Sequence, residues 1–172
     1  MKKIVLLFVT ATTLFACAPT EVKTDSAAST TGTVTTTGPD VDLIKKSITA
    51  FADGDWDTYA STYADTAKSY HNIWPSNTDT TAGVKIPVLI EGFKKQRELM
   101  DGKLTMGGTI FEVVTMPDGS KYGHVWVDFT WKNKKGEVGK SVLFDSYGIN
   151  KDGKISYEWP IYDTKDVVRL AQ

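Results

Sequence analysis

The segment from Phe51 to His71 leaves this chain few folds to choose from, because helix-ending, helix-starting and strand-forming signals follow one another with no spacer. Gly54 can take the left-handed conformation that closes one helix, and Asp55 can then accept backbone N–H bonds as the N-cap of the next. Trp56, Tyr59, Ala60 and Tyr63 recur at i, i+3, i+4 and i+7, which gives the second helix a single aromatic face. Lys68 to Ile73 then reads as a short strand that carries His71 near its end.

The flanking sequence extends this pattern in both directions. Asp40 is positioned to cap a first helix whose apolar residues Val41, Ile44, Ile48 and Phe51 fall at helical spacing. After a polar loop from Trp74 to Gly83, a third helix is marked by Ile86, Leu89, Ile90, Phe93, Arg97 and Met100 on one face, with Pro87 in its first turn and Gly102 past its end. Beyond Gly102 the period changes to that of strands, separated by Pro117-Asp118-Gly119, Lys134-Lys135-Gly136 and Asn150-Lys151-Asp152-Gly153, which predicts a four-stranded antiparallel meander. Helices first and strands later indicate an α+β domain: three N-terminal helices packed on one face of a curved, mostly antiparallel sheet.

The register of the meander decides which side chains share a face. An even-numbered turn after Asn133 would set His124 opposite Asp145, Trp126 opposite Leu143 and Asp128 opposite Ser141 on one face. Val125, Val127, Phe129 and Trp131, with Val142 and Phe144, would occupy the other. A three-residue loop would shift every partner by one and abolish the His124–Asp145 pairing. Since both faces carry large apolar residues, a second buried surface is expected, and the Val125/Val127/Phe129 face is the candidate for homodimerisation, with a monomer or another protein partner as alternatives.

The N-terminus reads as targeting sequence. Met1-Lys2-Lys3, the apolar run Ile4 to Val9, and Leu14-Phe15-Ala16 before Cys17 resemble a bacterial lipoprotein signal over residues 1–16, the alternative being an ordinary secretory signal. The resemblance implies lipidation of Cys17 and a cell-envelope protein anchored in a membrane. Ala18 after the cysteine implies the outer membrane rather than the inner one in a Gram-negative cell. Residues 17–39 are rich in Thr, Ser, Ala and Gly without periodicity, the composition of a disordered tether, which leaves residues 40–172 as one domain. Cys17 is the only cysteine, so its lipidation would exclude disulfides and thiolate chemistry from the mature protein. With net charge −1 and dispersed lysines, no nucleic-acid partner is expected. Two separated histidines make no metal cluster, no glycine-rich phosphate loop is present, and Asn150-Lys151-Asp152-Gly153 lacks the other ligands of a calcium loop, so neither a metal nor a cofactor is expected.

The order of helix, Gly54-Asp55-Trp56-Asp57 helix, short strand, third helix and a meander with Asp152-Gly153-Lys154-Ile155 before its last strand resembles the nuclear transport factor 2-like superfamily. Within it, the sequence is most similar to the SnoaL-like polyketide cyclases and the ketosteroid isomerases, over about Asp40 to Asp163. The resemblance implies a cone-shaped domain around a mostly apolar pocket, commonly dimeric. It also puts the general base on His71 and the protonated, oxyanion-stabilising aspartate on Asp145. The isomerase tyrosine of the first helix falls on Ser47, and an acid of the cyclase branch falls on Pro160. An imidazole titrates near ~6.5 and so can accept a proton at neutral pH without a large shift.

Around this pair, His124 would support Asp145 and Asp128 would be an orienting or rim acid, while Trp126, Trp74, Tyr63, Tyr147 and Tyr162 would wall the pocket. Glu158 would be a further acid if it faces inward. Each has a plain structural alternative, a satisfied loop histidine for His71 and a hydroxyl or backbone partner for Asp145. The expected function is binding of a small apolar or aromatic molecule, with isomerase, cyclase or dehydratase chemistry on one reading. The other reading is a non-catalytic ligand-binding or interaction module, since this fold serves both.

Overall fold

The computed structural model describes residues 31–70 and 83–170. Cys17, His71 and Trp74 lie outside the described residues.

Helix α1 spans Pro39–Asp53, and the fixed φ of its leading proline suits the first helical position. Gly38 rather than Asp40 caps it, and Asp40 instead sits in the first turn and receives Lys121 Nζ at 2.6 Å. Val41, Ile44 and Ile48 are buried, as their spacing requires. At the other end Gly54 takes φ 73°, and Asp55 N–H reaches back to Ala50 O at 2.9 Å, the paired closure that a left-handed glycine permits. Asp55 Oδ1 then accepts from Thr58 N–H at 3.0 Å and starts α2, Trp56–Ser61. Hydrogen bonding from the Thr58 side chain, with its backbone N–H second, holds the Asp55 carboxyl below its ordinary pKa.

Helix α2 is shorter than its aromatic spacing predicts. The chain passes directly into β2, Tyr63–Ser69, so Tyr63 opens a strand instead of completing a helical face. Helix α3 covers Ile86–Arg97, preceded by the two-residue β3, Val84–Lys85. The meander follows as β4 Thr105–Thr115, β5 Lys121–Lys132, β6 Val138–Ile149 and β7 Ile155–Tyr162. Besides β3, two further elements were not expected. Thr33–Thr35, inside the stretch read as tether, forms β1 along β4, and Lys165–Leu170 forms a short C-terminal helix, α4. The sheet order is β1-β4-β5-β6-β7-β2-β3, antiparallel throughout except where β2 runs parallel to β7. The expected α+β architecture is therefore present.

The helices lie against one face of this sheet. Gly123 allows the closest approach: a Cβ there would stand 2.0 Å from Ile44 Cδ1. Phe51 bridges the layers, with its ring 5.8 Å from Phe129 and 4.9 Å from Phe93.

The register differs from the one built on an even turn. Asn133 N–H bonds Glu137 O at 3.0 Å and Gly136 N–H bonds Asn133 O at 2.9 Å, enclosing Lys134-Lys135-Gly136 as a three-residue loop. Gly136 supplies the required φ of 80°, and Asn133 Oδ1 locks the loop by accepting from Lys135 and Glu137 N–H. His124 consequently faces Ser146, Trp126 faces Phe144 and Asp128 faces Val142. Asp145 lies opposite Val125. Val125, Val127 and Phe129 are buried beneath the helices, so they are not a dimer surface. The outward face instead carries the cross-strand row Ile110–Trp126–Phe144–Ile161.

Candidate functional site

Three strands and four helices contribute to one cavity on the inner face, about 710 Å³ with its open mouth included. Its walls are mostly apolar and aromatic: Ile48 and Phe51 from α1, Tyr59 from α2, Phe93 from α3, Phe129 from β5, and Leu143 and Tyr147 from β6. Alternation along β7 sends Glu158, Pro160 and Tyr162 inward too, because Glu158 pairs with Tyr147, Pro160 with Asp145 and Tyr162 with Leu143.

Two carboxyl groups therefore meet in an apolar pocket. Asp145 is 3% exposed and Glu158 2%. Glu158 is well supplied with donors: Tyr59 OH reaches its Oε2 at 3.2 Å, Tyr63 OH donates to the same oxygen, and Ser69 donates as well. Tyr63 OH also lies 2.9 Å from Tyr59 OH, joining the hydroxyls into one network. Asp145 has the Tyr147 hydroxyl and nearby backbone N–H groups, but its Oδ1 is buried with no hydrogen-bond partner. Leaving such an atom unsatisfied costs on the order of 1–3 kcal/mol, which marks it as a place where a ligand could supply the missing bond.

Burial raises both carboxyl pKa values, and the negative charge of Glu158 raises that of Asp145 further, well above the ordinary carboxylate range. The hydroxyl donors oppose the shift at Glu158. Of the two, Asp145 is pushed the more strongly toward its protonated form. Burial, with the adjacent carboxylate second, pushes Tyr59 and Tyr63 well above an ordinary phenol, so both remain donors. Arg97 is on the cavity wall but is already engaged, donating to Ala52 O at 3.2 Å and to Phe51 O, with its guanidinium 5.5 Å from the Phe51 ring.

The structure thus gathers Asp145, Tyr147, Glu158 and Tyr162 at the cavity, with Tyr63 directly behind Glu158. It separates three other candidates. His124, Trp126 and Asp128 project from the opposite face of β5, where His124 Nδ1 meets Glu112 Oε1 at 3.2 Å and Trp126 packs on Phe144 with ring centroids 4.9 Å apart. The one-residue register shift is the cause: it inverts every side chain of β5 relative to Asp145. Ser47 is fully buried, its Oγ has no partner, and it is not part of the cavity wall. Tyr59 and Ser69 were not foreseen as parts of the site. Tyr59 reads from sequence as one more core aromatic, and Ser69 as a polar strand residue. Among the described residues no three His, Cys, Asp or Glu side chains are grouped to hold a metal ion.

Solved structures superpose on this fold as a whole. A nuclear transport factor 2-like protein from Burkholderia xenovorans superposes with a TM-score of 0.53 at 15% identity, over 78% of this chain and 96% of that one. The fold is nuclear transport factor 2-like. The BvnE pinacolase from Penicillium brevicompactum shares this fold with a TM-score of 0.60 at 11% identity, over 77% of this chain and 88% of its own. So does a protein of ketosteroid isomerase-like fold from Catenulispora acidiphila, solved in complex with trimethylamine, with a TM-score of 0.53 at 7% identity, over 75% and 91% of the two chains. No protein-family model and no curated protein matches the sequence. At these identities the likeness speaks for the nuclear transport factor 2-like fold alone.

Proposed function

We propose that this domain binds a small, largely apolar or aromatic molecule carrying a hydrogen-bond acceptor such as a carbonyl, which accepts from the neutral carboxyl of Asp145. The observation that carries this reading is the buried, partnerless Oδ1 of Asp145 at an aromatic-walled cavity. The fold's use for small ligands, as in the trimethylamine complex of its Catenulispora relative, supports it. His71 is the proton acceptor of the catalytic version. It follows by two residues Ser69, which bonds Glu158. Its imidazole would take a proton from a carbon beside the carbonyl, the electron pair would move onto oxygen, and Asp145 would stabilise that developing enolate until the proton returns. Such a step underlies isomerase, cyclase and dehydratase chemistry. The binding-only version is favoured by Pro160, which stands opposite Asp145 where the cyclase likeness has an acid.

Native mass spectrometry of the purified protein tests the pocket. A co-purifying small molecule should be present in the wild type and lost in Asp145→Ala, and retention in the variant would refute the reading. Proton exchange into the recovered ligand in deuterated water separates the versions: turnover requires exchange that His71→Ala abolishes.

Two further proposals concern the setting. Cys17 carries lipid and residues 18–32 link it to the sheet, so Cys17→Ser should move the protein from the membrane to the soluble fraction. A second copy covers the outer row, since Ile110 at 59% and Ile161 at 50% exposure leave an apolar band across the sheet.

A further inference from the structure

Glu158 is the buried ionisable group that the proposed ligand contact does not use. Its surroundings are nonetheless the most heavily built part of the cavity. Two tyrosines from consecutive elements, Tyr59 on α2 and Tyr63 on β2, converge on Oε2, and Ser69 at the other end of β2 joins them. Parallel pairing of β2 with β7 makes this possible by setting Ser69 beside Glu158. A buried acid needing no charge would gain little from three hydroxyl donors.

We propose that Glu158 is a positioning residue: fixed as the carboxylate by Tyr59, Tyr63 and Ser69, it keeps the proton on the neighbouring Asp145 and so makes that side chain the pocket's hydrogen-bond donor. The inference rests on Asp145 being that donor. Its physical basis is that two carboxyl groups in one low-dielectric cavity resist carrying two negative charges, so the better-solvated one ionises and the other stays neutral. Each carboxyl has three donors, so their placement decides which is which: only Asp145 leaves a buried oxygen without a partner. Glu158 has three hydroxyls, whereas Asp145 has the Tyr147 hydroxyl and the backbone groups of Ser146 and Trp159, with one oxygen empty.

The other polar groups around the pair do not reverse this assignment. Tyr59 from α2, Tyr63 from β2, Tyr147 from β6 and Tyr162 from β7 all have phenol pKa values raised by burial and are neutral. Arg97 from α3 is the cation on the described cavity wall, and it is held by the Phe51 and Ala52 carbonyls.

Carboxyl-carbon NMR tests this on the full chain in detergent, with labelled Asp and Glu and the Asp145 signal assigned by its loss in Asp145→Asn. The titration is repeated in His71→Ala so that no imidazole contributes. In the wild type, Asp145 should carry its proton at neutral pH. Glu158→Gln should lower its midpoint by about one pH unit or more, a tenfold loss of proton affinity. Tyr63→Phe should move it the same way by less, because a less stabilised Glu158 competes for the proton. A midpoint unmoved or raised in Glu158→Gln overturns the inference, and if that variant does not fold, an unmoved midpoint in Tyr63→Phe does so. If the wild-type Asp145 is already ionised at neutral pH, the donor reading falls as well. If it is protonated but indifferent to both variants, only the role of Glu158 falls.

Discussion

Asp145 and Glu158 are where single atoms have the largest consequences. A carboxyl whose folded pKa is raised binds its proton more tightly in the folded than in the unfolded chain, so it favours folding at low pH, and that contribution is lost as pH climbs from the unfolded pKa through the folded one. Both buried acids are shifted in this direction, Asp145 the more strongly. The wild type should therefore be less stable at about pH 8 than at about pH 5, with a slope of up to roughly 1.4 kcal/mol per pH unit from Asp145 over the range in which that group remains protonated in the folded state. Asp145→Asn should remove that component, which urea unfolding at the two pH values would measure, and an unchanged slope would contradict the assignment. Tyr63→Phe takes a donor from a buried carboxylate and should destabilise by about 1–3 kcal/mol in the same assay.

At the scale of elements, the loops between strands decide more than the strands do. The three meander turns share one construction, in which the third loop residue is a left-handed glycine: Gly119 at φ 85°, Gly136 at φ 80° and Gly153 at φ 67°. Asn133 and Asn150 each turn a side-chain oxygen onto two loop N–H groups. With Lys135 deleted, keeping the three-residue construction makes the loop Asn133-Lys134-Gly136 between Lys132 and Glu137, which slips β6 by one position against β5, aligning His124 with Asp145 while forcing half of the paired core outward. The deletion variant should fail to reach the native state, with weak near-ultraviolet circular dichroism and strong dye binding. Native spectra would show that the strand faces, not the turn, dictate the register. The repeated Xaa-Xaa-Gly spacing was visible in the sequence and was the available signal for a three-residue loop.

For the whole molecule, the sheet has two apolar faces and the helices cover one. The outer row of Ile110, Trp126, Phe144 and Ile161 crosses four strands, with Val142 beside it at 56% exposure. Apposing two copies about a two-fold axis would lay these rows on each other. Light scattering at micromolar concentration should give a dimer mass, and Trp126→Glu should give a monomer with an intact fold. A monomeric wild type would count against this interface. Moving the expected dimer face from Val127 to Trp126 follows from the same one-residue shift that removed His124 from the pocket.

The sequence by itself determined the parts that depend on neighbours along the chain. The Gly54–Asp55 junction, the periodicities of α1 and α3, and the four-stranded meander are local choices of φ, ψ and hydrogen bonding, and they appear where the residues predict them. Even the inward acid was half legible, since Glu158 alternates with Pro160 and Tyr162 once the direction of β7 is known. Tertiary structure decided the rest. Alternation states that neighbouring strand residues face opposite ways but not which way is in, and one residue of loop length reverses the answer. The hydroxyl network around Glu158 joins residues from α2, β2 and β7, separated by up to 99 positions, and no local pattern encodes that meeting. It exists because the helices bury one face of the sheet, and burial makes every unpaired polar atom there costly enough to dictate its partners.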